Sequence, residues 1–109
     1  MRIISSRSLK ECWSLYPDSQ VALGLWVERM KYNNFKNHQS LRLVFPDADY
    51  IANQEFRHLV IFNIKGNRYR LVVDIFFNTG HVFLKWFGPH DEYDKVNFST
   101  FSNGGFRIC

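Results

Sequence analysis

Cysteine is nearly absent: Cys12 and Cys109 are the only two in 109 residues, with no CxxC pair and no histidine at zinc spacing beside either. That pattern excludes a disulfide-rich scaffold and offers no ligand set, so no metal is expected. Neither is needed for stability, because a chain of this length buries about two-thirds of its extended surface on folding. Cys12 falls on the apolar stripe of an expected helix and reads as a small buried hydrophobe, and Cys109 as an exposed end. Long apolar runs are also missing. Val21 to Val27, broken only by Gly24, is the longest, far short of the ~20 residues a membrane-spanning helix requires. Met1-Arg2-Ile3-Ile4-Ser5 lacks a secretory apolar core and no lipidation signal is present, so the expected location is cytoplasmic, without membrane contact. There is no repeat, no low-complexity block and no linker before the Ser/Asn/Gly-rich stretch Ser99 to Gly105. The expectation is one domain over residues 1–98, followed by a flexible tail at 99–109.

What the sequence does have is aromatic and basic character. Aromatics make up 17% and hydrophobic residues 46%, too apolar a composition for disorder. The net charge of +4 hides an uneven distribution. Residues 29–46 carry Arg29, Lys31, Lys36 and Arg42, residues 56–73 carry Arg57, Lys65, Arg68 and Arg70, and neither stretch contains an acid. Two acid-free basic blocks are the footprint of a surface that faces a polyanion, or of a solvated basic face.

Arg2-Ile3-Ile4 reads as a short first strand. Ser8-Leu9-Lys10-Glu11 reads as a capping box opening a helix whose apolar positions Leu9, Cys12, Trp13 and Tyr16 follow helical spacing up to Pro17. Asp18 or Ser19 is placed to cap a second helix, with Ala22, Leu25, Trp26, Arg29 and Met30 on one face. Leu41, Val44 and Phe45 suit a short further helix capped by Asn37 and ended by Pro46. From Leu59 the period becomes that of strands, with Gly66-Asn67 as a two-residue hairpin turn and Asn78-Thr79-Gly80 as a second turn. Tight turns would pair Ile64 with Tyr69, Phe62 with Leu71 and Val60 with Val73. They would then pair Ile75 with Leu84, Phe77 with Val82 and Val73 with Trp86 on the core face. The opposite face would pair Lys65 with Arg68, Asn63 with Arg70, Asp74 with Lys85 and Phe76 with Phe83. The expected class is α+β, with a β-α-α-β-β-β order.

Lys65 and Arg68 across the hairpin mouth, with Arg70 one pair further in, gather three like charges that repel unless they share an anion or splay into solvent. Arg70 lies deepest on the sheet, where a guanidinium can present a planar donor fork to phosphate oxygens. After the last strand Gly88-Pro89 is expected to break the chain into a helical turn. His90, Tyr93 and Asp94 then share one side of it. An imidazole with an ordinary pKa near ~6.5 suits proton transfer, or the residue simply packs. Phe76, Phe83 and Phe87 are expected on the same face as Arg70, stacked on bases or covered by the tail or a partner.

The stretch Val60-Ile61-Phe62-Asn63-Ile64-Lys65-Gly66-Asn67-Arg68-Tyr69-Arg70-Leu71-Val72-Val73, followed by Phe87-Gly88-Pro89-His90-Asp91-Glu92-Tyr93-Asp94-Lys95-Val96, resembles the HigB toxins of type II toxin–antitoxin modules, within the RelE/ParE superfamily. The resemblance spans about residues 1–96 and includes Tyr16-Pro17-Asp18 and Phe45-Pro46-Asp47. It implies a small antiparallel sheet packed on a helical hairpin, and an mRNA interferase acting on message on the ribosome. It implies a HigA-type helix-turn-helix antitoxin as partner. The phosphate-contacting arginine of such toxins falls on Arg70, a basic residue of their preceding strand falls near Lys65, and His90 stands where some relatives carry arginine. On that footing His90 is expected as base or acid, Tyr93 in proton transfer or substrate orientation, and Lys65, Arg68 and Lys85 on the RNA backbone. The chemistry implied is metal-free attack of a 2′-hydroxyl on its phosphodiester, for which no cofactor is expected. One departure is Pro89, where threonine is usual. A non-catalytic relative that poisons gyrase, or a copy that no longer cuts, are the alternatives left open.

Overall fold

Alternating apolar residues on three consecutive strands need a second layer to bury one of their two faces, and the N-terminal half supplies it. The chain, seen here as a computed structural model, is described over residues 1–4, 6–51, 59–95 and 109. The elements run β1 (Arg2–Ile4), α1 (Arg7–Leu15), a 3-10 turn at Pro17–Ser19, α2 (Gln20–Lys31), α3 (His38–Val44), β2 (Asp49–Ile51), β3 (Leu59–Ile64), β4 (Tyr69–Phe76), β5 (His81–Pro89) and α4 (His90–Tyr93). The five strands form one sheet in the order β1-β5-β4-β3-β2, antiparallel except where β1 runs parallel to β5. The α+β class is as expected, and β2 is an addition: three residues were too short to show a strand period.

The helices cover one face. Leu9 and Cys12 of α1, Leu23, Trp26 and Met30 of α2 and Leu41 of α3 pack with Val60, Phe62 and Ile64 of β3, and with Leu71, Val73 and Ile75 of β4. Trp26 and Phe45 both meet Phe62 edge-on, with ring centroids at 5.4 and 4.9 Å. The buried face of α2 is therefore Leu23-Trp26-Met30, not the face containing Leu25 and Arg29, both of which are exposed. This helix is apolar nearly all round its first two turns, so periodicity alone could not choose its inward side; the fit of Trp26 against Phe62 does. Helix α1 begins at Arg7 after Ser6, with no side-chain cap, so the Ser8/Glu11 box does not form. Asn37 caps α3 as expected, accepting from Ser40 N–H while the Ser40 hydroxyl oxygen accepts from Asn37 N–H.

The β3–β4 register matches the expected hairpin, with Ile64 opposite Tyr69 and Asn63 opposite Arg70. The β4–β5 register does not. The second connection spans four residues, Gly80 N–H donating to Phe76 C=O at 2.9 Å, which moves the pairing by two: Ile75 faces Val82 and Val73 faces Leu84. Between Val72 and Val73 the ladder slips again, because Val72 pairs with Trp86 and leaves Lys85 without an opposite residue. This β-bulge reverses which side chains of β5 point inward. Phe87, expected on the open face, is 2% exposed in the helix-side core, and Trp86, expected in that core, belongs to the cluster on the other face with Leu59, Ile61 and Val72. The Asp74/Lys85 pair is replaced by Asp74 opposite Phe83, and Phe76 and Phe83 meet diagonally at 5.4 Å. Gly88-Pro89 does not break the strand; β5 continues to Pro89 opposite Tyr69.

Cys109 is not an exposed end: its sulfur is bonded to that of Cys12, with the two Cα atoms 5.5 Å apart. A link of this kind persists in an oxidising compartment and is reduced in the cytosol; Cys12 itself is buried, as expected. The expected flexibility of residues 99–108, and any covering of Phe76 and Phe83 by them, lies outside the described residues.

Helices and sheet are also joined by charge. Asp18, in the 3-10 turn, accepts from the Tyr69 hydroxyl and pairs with Lys65 Nζ at 3.2 Å and Arg68 Nε at 3.5 Å. The Tyr69 hydrogen bond first, and the two cations after it, hold the Asp18 carboxyl below the usual carboxylate range. A depressed carboxylate stabilises the fold fully above its unfolded-state pKa, and that contribution is lost as pH falls through the folded-state value. Asp18→Asn is therefore expected to melt below the parent at pH 7, with the gap closing on acidification below about pH 4; thermal melts across that range check the sign.

Candidate active site

Strand alternation on β4 sends Tyr69, Leu71, Val73 and Ile75 toward the helices and Arg70 toward the other face. The bulge then decides what Arg70 meets. Its register partner is Gly88, so no side chain opposes the guanidinium from β5, and the chain turns into α4 two residues later. The His90 N–H donates to the Arg68 C=O at 3.0 Å, which ties the start of α4 to the strand carrying Arg70. As a result Arg70 NH2 lies 3.3 Å from His90 Nε2, and its guanidinium carbon sits 4.9 Å from the centre of the Tyr93 ring.

Hydrogen-bond roles follow from the chemistry of these groups. A guanidinium can only donate, so His90 Nε2 accepts and the imidazole proton is assigned to Nδ1. Nδ1 faces Asp94, whose carboxylate is 3.9 Å away, beyond a hydrogen bond. Among the described residues, neither His90 Nδ1 nor Arg70 Nε, both buried atoms, has a hydrogen-bond partner. Unsatisfied buried donors cost roughly 1–3 kcal/mol each and call for a reason. Burial, more than any charge, pushes the Tyr93 hydroxyl above its ordinary value; Asp49 and Asp94 add to this and Arg70 opposes it. Tyr93 thus stays protonated through the neutral range and is a donor, not a base.

The other cations expected here are placed differently. Lys65 takes a left-handed backbone, φ 55°, ahead of Gly66 at φ 63°, so strand alternation ends at Ile64. Lys65 and Arg68 both reach Asp18, which relieves the like-charge pair that the sequence leaves open. The sequence offers Asp18 or Ser19 as a cap of α2; Ser19 takes that position without a side-chain bond, and nothing local signals the Asp18 partners 47 to 51 residues away. Lys85 sits at the bulge, and no hydrogen bond or ion pair among the described residues joins it to Arg70, His90 or Tyr93. The floor beneath Tyr93 was also missed: Trp86, turned to this face by the bulge, lies 6.0 Å from the Tyr93 ring centre. A Cβ on Gly88 would come within 2.9 Å of the Trp86 ring. Among the described residues no group of three His, Cys, Asp or Glu gathers to hold a metal, and no helix is long and apolar enough to cross a membrane.

Residues 19–96 match the family model of the HigB toxin, described as a RelE-like toxic component of a toxin–antitoxin system. The chain is also similar to the mRNA interferase toxin HigB of Escherichia coli K12, at 30% identity over 97 residues, 86% of this chain and 88% of that protein. The mRNA interferase HigB proteins of Escherichia coli O157:H7 and Shigella flexneri match over the same shares at the same identity.

Replacing Gly88 by alanine is expected to displace Trp86 and, through it, Tyr93 and α4. Because the displaced ring is large and partly exposed, the main effect is local: a shifted indole fluorescence and a weakened Arg70–Tyr93 contact in a crystal structure, with the melting temperature lowered by only a few degrees.

Proposed function

Because the chain belongs to the HigB family of RelE-like toxins, the toxic components of toxin–antitoxin systems, we propose that it is an mRNA interferase whose cutting site is formed by Arg70, His90 and Tyr93. The observation that carries this reading is the 3.3 Å contact between Arg70 NH2 and His90 Nε2, which joins a phosphate-binding group to a proton-transfer group. An antitoxin partner comes with the family; a HigA-type helix-turn-helix protein, a cytoplasmic setting and message presented on the ribosome are the finer parts of the same proposal.

In the free protein Arg70 donates to the lone pair that a base would use. A phosphate oxygen is the stronger acceptor, since its bond to a guanidinium is charge-assisted. Entry of a phosphodiester draws Arg70 away from Nε2 and also offers a partner to the buried Nε. The freed Nε2 takes the proton of the adjacent 2′-hydroxyl as that oxygen bonds to phosphorus. The bond from phosphorus to the 5′-oxygen breaks, leaving a 2′,3′-cyclic phosphate and, once the leaving oxygen is protonated, a 5′-hydroxyl. Arg70 neutralises charge on the phosphorane, where oriented donors are worth most. Tyr93, held protonated beneath the guanidinium, orients the substrate or donates to a phosphate or leaving oxygen. No step calls for a metal. Strained, in-line presentation of message by the ribosome supplies proximity that an open site of this kind cannot. Lys65 and Arg68, already shared with Asp18, serve as backbone steering at longer range, as does Lys85.

Arg70→Ala is expected to lower cleavage of translated message by about 100-fold or more and to relieve growth arrest on induction. Its melting temperature should stay near the parent's, since the change removes a buried unpaired donor. Arg70→Lys should rescue little, because an ammonium lacks the planar fork. Mapped 5′-hydroxyl ends within codons are the readout. Growth arrest with intact messages and gyrase-linked DNA breaks would reject the reading.

A further inference from the structure

His90 borders two surfaces. One holds Arg70 and Tyr93; the other is a cleft of about 440 Å³ on the hairpin side, walled by Tyr16, Tyr69 and Pro89 and rimmed by Asn67, Arg68 and Asp91. Its volume lies within the range of small-ligand sites, and nothing in the cleavage chemistry above uses it. Its character is unlike that of a phosphate site. The Arg68 charge is shared with Asp18 at 3.5 Å. Asp91 stands on the rim, and Glu92 lies near enough to Tyr16 to help burial raise the Tyr16 hydroxyl above its ordinary value. An anion would meet carboxylates there, and Arg68, the one lysine or arginine among the described lining residues, is already paired. A neutral planar group finds the opposite: the rings of Pro89 and Tyr16 line the cleft, the latter held by Tyr69 at 5.2 Å and Phe87 at 5.9 Å between ring centres.

We propose that this cleft is a nucleobase subsite, which seats one of the two bases flanking the linkage gripped by Arg70 and His90 and selects bases that carry an exocyclic amino group. The inference rests on the interferase reading, since His90 shared by both surfaces is what sets the base beside the cut. The selection follows from donor and acceptor chemistry. The Asp91 carboxylate only accepts, so it suits the amino groups of adenine, cytosine or guanine, whereas uracil offers it a single N3–H set between two carbonyl oxygens that repel it. The Asn67 side chain, carrying both a donor and an acceptor, is placed on the turn to complete a pair on the base edge. Stacking supplies affinity without preference, and the rim supplies the preference.

The test is transcriptome-wide mapping of cut sites after induction of the parent, Asp91→Asn and Asn67→Ala. Both residues are exposed, and thermal melts check that the variants fold. In the parent, uridine is expected to be depleted at one position flanking the cut. Asp91→Asn presents a donor to O4 and should raise the uridine share there about tenfold, the size of one lost base-edge discrimination. Asn67→Ala should flatten the preference; the flanking-base shares are read as fractions of all cuts, so a change in total cutting does not enter them. Cutting that persists with the same flanking-base distribution in all three proteins overturns the subsite and leaves the interferase reading intact. A parent that makes no cuts at all overturns both.

Discussion

One extra residue in β5 determines what the open face of the sheet can do. Up to Leu84 the strand alternates with Val82 and Leu84 against the helices, and beyond Lys85 the phase is reversed, with Phe87 inward and Trp86 and Gly88 outward. Had the ladder run on without the bulge, Arg70 would face Phe87 and Tyr69 would face Gly88. The aromatic would then crowd the guanidinium, and the helix-side core would lose one of its largest fully buried side chains. With the bulge, Arg70 faces a residue that has no side chain, and the chain leaves the sheet at the point that carries His90 back over it. Bulges beside functional sites commonly serve to re-aim a side chain in this way. Here the same displacement satisfies the core and clears the site, so neither can be altered without the other.

The basic hairpin is divided by the sheet in a second sense. Three cations lie close together in sequence, but two of them turn to the helix side and share one carboxylate, while the third stands alone on the opposite face. Asp18 thereby serves stability and sorts the three cations at once. It removes the repulsion at the hairpin mouth and leaves Arg70 as the cation directed at His90. The unpaired Nε of Arg70 has a physical reading in that context. A buried donor left open is a cost to folding that a bound oxyanion would remove, and such costs are tolerated where a ligand is to be taken up.

Much of this was legible from sequence because it is local. The β3–β4 hairpin follows from two apolar strands around Gly66-Asn67, and its register alone puts Asn63 opposite Arg70 and sends Arg70 to the face away from the helices. The helical turn at His90 and the Asn37 cap are likewise set by neighbouring residues. What was not legible depends on distance or on a choice among equivalent faces. Asp18 finds its partners about fifty residues away. The inward side of α2 is selected by Phe62, not by its own pattern. The bulge leaves no mark in composition, since Phe83-Leu84-Lys85-Trp86-Phe87 alternates acceptably in either phase, and so Trp86 and Phe87 exchanged places. Cys109 illustrates a third kind of limit: its proximity to Cys12 is a property of the folded chain's path, which spacing along the sequence does not encode.

Pro89 matters because a capping hydroxyl at that position would be a natural way to fix a histidine at the first residue of a helix, and proline has none. The structure fixes His90 by another route. Pro89 sits at φ −62°, within the range its ring imposes, and remains in register with Tyr69 as the last residue of β5. The backbone N–H of His90 then donates to the Arg68 carbonyl at 3.0 Å, extending the ladder by one bond past the proline. The residue that leads into the guanidinium's strand, two positions before Arg70, is thus the one that holds the backbone of His90. A hydroxyl cap would anchor His90 to its own short helix, whereas this bond anchors it to Arg70, and the second arrangement is the one that keeps a 3.3 Å contact between them.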